Sequence, residues 1–178
     1  MENQKLKEFK IINLHSNETN KVKYSNYIDL NIDHTSDEFE EIYIGEMIEL
    51  LVNTSDPYDG IVPIDFINSQ KTSRFEVSAF GQWSIEILPL SQSRRITVPG
   101  VIKGNGDEII VLTGGNADTA HIVGNQADKL FSVRAYGENG IDTLINTTDP
   151  YEGTISLENG IFLLEIKAVG EWTIEIDE

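Results

Sequence analysis

The sequence predicts an all-β protein: two tandem antiparallel β-sandwich modules, immunoglobulin-like or jelly-roll, related by internal duplication. Three observations predict it. Leu51-Val-Asn-Thr-Ser-Asp-Pro-Tyr-Asp-Gly60 returns as Leu144-Ile-Asn-Thr-Thr-Asp-Pro-Tyr-Glu-Gly153, identical at seven of ten positions, with the three changes conservative. Gly81-Gln-Trp-Ser-Ile-Glu-Ile87 returns as Gly170-Glu-Trp-Thr-Ile-Glu-Ile176. Short apolar runs of period two alternate with turn-forming Gly, Pro, Asn and Asp roughly every 8–12 residues, the pattern of a sandwich. The first pair of landmarks is offset by 93 residues and the second by 89, so the halves differ by a short indel. The boundaries expected are 1–92 and 93–178, with 93–103 as linker.

Taken in order, residues 4–14 alternate well enough for a first strand, with Leu6, Phe9 and Ile11 or Ile12 inward. Residues 15–26 are polar and turn-rich and read as a long loop. Ile28, Leu30 and Ile32 alternate with Asp29, Asn31 and Asp33, a strand with one wet face. Over 38–52 a helix competes, since Phe39, Ile42 or Tyr43, and Met47 have helical spacing. The second half decides for a β-hairpin turning at Gly45-Glu46: its counterpart alternates Phe131, Val133 and Ala135 before a turn at Tyr136-Gly-Glu-Asn-Gly140.

After the first decapeptide Val62, Ile64 and Phe66 share a face, as Ile155 and Leu157 do after the second. Pro63 points away from that face and lacks a ladder donor, which predicts an edge strand. Phe75, Val77 and Ala79 correspond to Leu164, Ile166 and Ala168, each set followed by a tight turn at Phe80-Gly81 or Val169-Gly170. In the closing strand a period of two puts Trp83, Ile85 and Ile87 on one face, and Trp172, Ile174 and Ile176 likewise. The linker holds a short extended strand over 96–98. Beyond it Gly104-Asn-Gly-Asp-Glu108 is a turn feeding a strand to Leu112, with further strands at 120–123 and 130–135.

A net charge of −17 is shared between the halves, seven basic against sixteen acidic residues in 1–92 and six against fourteen in 93–178. So negative a surface repels phosphate backbones and anionic headgroups, which disfavours nucleic acid and membrane as partners and favours a basic one. No cysteine is present, so disulfides, thiolate metal sites and a cysteine nucleophile are excluded. The N-terminal residues have no apolar signal region and no run approaches the roughly 18 residues of a membrane span. A soluble chain is expected, secreted or at the cell surface if a signal peptide was removed. Asn17, Asn53 and Asn146 open glycosylation sequons, relevant only to a secreting eukaryote.

The tryptophans are expected in the core, since each shares its face with two isoleucines, in preference to sugar-stacking platforms. Asp56-Pro-Tyr-Asp-Gly60 and Asp149-Pro-Tyr-Glu-Gly153 pair carboxylates across a turn. Proline after aspartate makes such a turn without a metal, whereas calcium needs about 6–8 oxygens. Asp56, Tyr58, Asp149 and Tyr151 are therefore the candidate partner-binding residues, and no metal or cofactor is expected. His15, His34 and His121 lack metal spacing, Gly104-Asn-Gly106 and Gly114-Gly115-Asn116 lack the P-loop ending, and no Gly-x-Ser-x-Gly elbow occurs.

These landmarks also form a pattern. Leu-Val-Asn-x-x-x-x-Tyr-x-Gly, then Ala-x-Gly-x-Trp-x-Ile-x-Ile, preceded by Gly104-Asn-Gly-Asp-Glu108, resembles a small β-sandwich module recurring in secreted proteins and lipoproteins of Gram-positive bacteria. Residues 104–178 match all of it and residues 1–92 from about Phe39 onward. The resemblance implies fold and ancestry, and carries over no catalytic residue.

The function expected is that of a non-catalytic binding protein, adhesion-like or an assembly subunit, acting through sandwich surfaces. Its partner would be a protein or surface ligand, with oligomers forming through the apolar hairpin tips at Phe80 and Val169. The alternatives are a carbohydrate- or calcium-binding module, a virion or filament component, and a hydrolase.

Overall fold

A computed structural model describes residues 10–16, 20–28, 47–54, 58–66, 70–79, 83–125 and 129–178. Its regular structure is all strand apart from one 3-10 turn at Leu90–Gln92. The first half contains β1 (Lys10–Ser16), β2 (Asn20–Ile28), β3 (Met47–Thr54), β4 (Tyr58–Ile64), β5 (Gln70–Ala79) and β6 (Trp83–Pro89). The second contains β7 (Arg94–Val98), β8 (Gly100–Asn105), β9 (Glu108–Gly114), β10 (Thr119–Gly124), β11 (Phe131–Gly137), β12 (Gly140–Thr147), β13 (Tyr151–Ser156), β14 (Ile161–Lys167) and β15 (Glu171–Asp177).

In the second half two sheets, ordered β13-β10-β15-β8 and β12-β11-β14-β9-β7, close over one core. Strand β15 shows why. Its residues alternate exposed or half-exposed with buried, and Trp172, Ile174 and Ile176 all point into that core with Phe131, Ile122 and Ile166. The first half orders its strands β4-β1-β6 and β3-β2-β5 around a smaller cluster of Leu51, Val52, Val62 and Ile64.

The halves pair in the same register. Ile12 lies opposite Val62 and Ile87, and Ala120 lies opposite Ile155 and Ile176. Val22 lies opposite Val52 and Val77, and Val133 opposite Ile145 and Ile166. An irregularity falls directly after Val22 in β2–β3 and directly after Val133 in β11–β12. Among the described strands what differs is the complement: the second half adds β8 beside β15, and β9 with β7 beside β14.

Several expectations are corrected. The stretch 15–26, expected as a loop, carries most of β2, which pairs antiparallel with β3. Residues 29–46, including the expected turn at Gly45-Glu46, and Phe80 lie outside the described residues. Residues 93–103, expected as linker, run largely as β7 and β8, with β8 on β15 and β7 parallel to β9. Phe66 leaves the face of Val62 and Ile64 because Asp65 takes a left-handed φ of 59° and breaks the alternation. Ile87 is 52% exposed where its counterpart Ile176 is 0% exposed, since β8 covers β15 and no described strand lies outside β6. Pro63 sits in β4, which among the described strands is an edge of its sheet.

A third apolar cluster joins the halves. Ile109, Val111, Leu163 and Tyr136 lie on the outer face of the five-stranded sheet, and Ile61, Phe66, Leu88 and Leu90 cover them. Strand β9 is buried from Glu108 through Leu112 because the sandwich core takes Ile110 and Leu112 while this joint takes Ile109 and Val111.

Candidate functional site

The two copies of the decapeptide place their tyrosines alike and use them differently. In both, glycine two residues on lies under the ring: an added Cβ would stand 2.5 Å from the Tyr58 hydroxyl oxygen at Gly60 and 2.7 Å from that of Tyr151 at Gly153. The shared Tyr-x-Gly spacing thus makes room for the ring.

In the first half the Tyr58 hydroxyl donates to Asp107 Oδ2 at 2.7 Å, across the joint. Asp107 Oδ1 accepts the Ala168 N–H at 2.8 Å, and its main-chain oxygen accepts the Ile61 N–H at 3.0 Å. One aspartate therefore holds edge strand β4, the tyrosine and the turn after β14. Burial pushes its carboxyl above the usual range, opposed by the two donors. Burial and the neighbouring Asp107 charge also push the Tyr58 hydroxyl up, so it stays a neutral donor.

Beside this lock Glu165, buried on β14, accepts the Tyr136 hydroxyl at 2.6 Å, with Lys167 Nζ at 3.7 Å and Arg134 Nη1 at 3.9 Å. The Phe66 ring meets the edge of Tyr136 at 5.3 Å. Tyr58 is thus taken up by the joint, while Asp56 lies outside the described residues.

In the second half the same loop faces solvent. Asp149 and Glu152 are exposed, and the Tyr151 ring is half-buried against Phe131 at 6.5 Å. The base of the loop is fixed. The Asp149 N–H donates to Thr147 Oγ1 at 3.0 Å, and Asn125, at φ 59°, donates from Nδ2 to the Asp149 carbonyl at 2.9 Å. Asn125 Oδ1 in turn accepts the Lys129 N–H at 3.1 Å. His121 Nε2 stands 4.0 Å from Glu152 Oε1, and its Nδ1 is 3.1 Å from Thr154 Oγ1. The structure therefore brings Asp149 and Tyr151 together on a braced loop, adds Glu152, and separates them from Tyr58.

Trp172 is 2% exposed and donates from Nε1 to the Gly106 carbonyl at 2.9 Å, so it is core as expected. Trp83 opens β6, and its ring lies outside the described side chains. Val169 is 55% exposed and takes no part in the joint. Among the described residues no group of three or more His, Asp or Glu is placed to hold a metal, and no helix is long and apolar enough to cross a membrane. Asp107 was legible only as part of the Gly-x-Gly-Asp-Glu opening, where an acid directly after a glycine turn was its one signal. Comparison with models of known protein families and with curated protein sequences returns no match.

Proposed function

We propose that the chain is a non-catalytic interaction protein, two β-sandwich modules descended from one copied unit and held rigid by the Asp107 joint, that contacts a basic protein partner through the 147–152 loop. The common register and the common position of the β2 and β11 irregularities support the duplication. The observation that carries the binding reading is the braced loop. Its backbone is anchored by Asn125 and Thr147 while the Asp149 and Glu152 carboxylates remain in water. A preorganised loop loses little conformational entropy on binding, and exposed carboxylates steer a cationic partner.

The test is titration of a fluorescent oligolysine peptide against the native protein and an Asp149→Lys/Glu152→Lys variant. Removing two contacts of this kind is expected to weaken binding about tenfold or more at low salt. Equal affinity for both proteins, with the variant folded, would reject the assignment of this loop.

A further inference from the structure

The cations of this acidic chain are not spread evenly. Arg94, Arg95 and Lys103 line one groove of about 500 Å³ between β7 and β8, in a protein of net charge −17. These strands are the edges of the two sheets on the same side of the sandwich, joined through Val98, Pro99 and Gly100. Each has a ladder partner on one side only among the described strands, so the outward edge of β7 can take a further strand.

Arg94 sets the width of the groove. Its Nη1 binds Glu108 Oε2 at 2.8 Å and its Nη2 binds the Lys103 carbonyl at 2.8 Å, tying β7 to β8 and neutralising the buried Glu108. That leaves Arg95 and Lys103, both exposed and, among the described residues, in no ion pair. Val101, 55% exposed on β8, supplies an apolar contact between them.

We propose that this groove takes an extended acidic segment of a partner protein, which adds as a strand along the open edge of β7 and sets carboxylates against Arg95 and Lys103. An added strand satisfies the open ladder groups by main-chain bonds, and its alternate side chains read the groove. The local charge selects the occupant: two unpaired cations match one or two carboxylates, whereas a long polyphosphate would meet the repulsion of the whole negative surface. This site lies apart from the 147–152 loop and does not depend on it.

The experiment is fluorescence anisotropy with a labelled peptide alternating Glu and Val, a Lys-Val peptide of equal length, and a Glu-Val peptide N-methylated at alternate residues. The Glu-Val peptide is expected to bind saturably and to weaken about tenfold or more in the Arg95→Glu/Lys103→Glu variant, with salt opposing binding. N-methylation, which keeps the charge and blocks the ladder, is expected to abolish it. Absence of Glu-Val binding, unchanged affinity of the folded double variant, or equal binding of the N-methylated peptide would overturn the proposal. So would a concentration-dependent oligomer of the native protein that Arg95→Glu dissolves, since a second copy would then own the groove.

Discussion

Replacing Asp107 tests the joint most directly. Asp107→Ala removes the acceptor of the Tyr58 hydroxyl and of the Ala168 N–H, leaving two donors in a largely buried place. Each orphaned donor costs about 1–3 kcal/mol, and removing a buried carboxylate returns part of it, so a net loss of about 2–4 kcal/mol is expected. For a chain of this size that lowers the melting temperature by roughly 4–16 °C, at about 2–4 °C per kcal/mol. Asp107→Asn behaves differently. Its amide oxygen still accepts from Ala168, its NH2 donates to the Tyr58 oxygen, and no charge is buried, so the change is expected to stay within about 1 kcal/mol. Thermal unfolding of the three proteins decides. Equal losses in both variants, or no loss in Asp107→Ala, would refute the assignment of this carboxylate as the lock between the halves.

The same residue gives a pH dependence with a definite sign. Its folded pKa lies above its unfolded value, near the ordinary ~3.9 of aspartate. The stability it contributes is therefore complete below that unfolded value and is lost as pH rises through the folded one. The stability of the native protein minus that of Asp107→Asn should fall from acid toward neutral pH. A difference that rises instead would show the donors outweighing burial.

Two further outcomes are expected. Trp172→Ala empties the centre of the second core and frees the Gly106 carbonyl, which should cost about 3–5 kcal/mol in denaturant unfolding; a loss below about 1 kcal/mol would place the indole outside the core. Among the described residues the buried Ser93 hydroxyl oxygen has no hydrogen-bond partner, so Ser93→Ala should raise stability by about 1 kcal/mol, and a fall would mean the hydroxyl is bonded after all.

What the sequence made legible was whatever a strict period of two enforces. The alternation of Trp172, Ile174 and Ile176, the edge position of Pro63 and the Gly137–Gly140 hairpin follow from local pattern and turn chemistry. Strand β2 was hidden because its apolar residues, Val22, Tyr24, Tyr27 and Ile28, stand among lysines, asparagines and serine. The irregularities after Val22 and after Ser25 also break its period. The second half joins β11 to β12 by a turn of two residues, whereas 18 residues, 29–46, separate β2 from its partner β3, so the local turn pattern that marks the one pair does not mark the other. The joint was invisible because it is tertiary. Ile109 to Leu112 is a continuous apolar run, which signals burial on both faces but not by what.

The joint also has a direction. Ile61, Phe66 and Leu88 build it, and the offsets that relate the halves set Thr154, Asn159 and Asp177 in their places, all exposed. Tyr151 and Gly153 keep the local geometry of Tyr58 and Gly60, so the tyrosine turn is common to both halves, whereas the apolar cover is built by the first half. A further module docked in the same manner would have to bury a threonine, an asparagine and an aspartate against an apolar sheet face, and each unpaired polar group costs on the order of 1–3 kcal/mol. The loop that carries the Tyr58 lock in the first half has its counterpart at 147–152 in water, with Asp149 and Glu152 exposed.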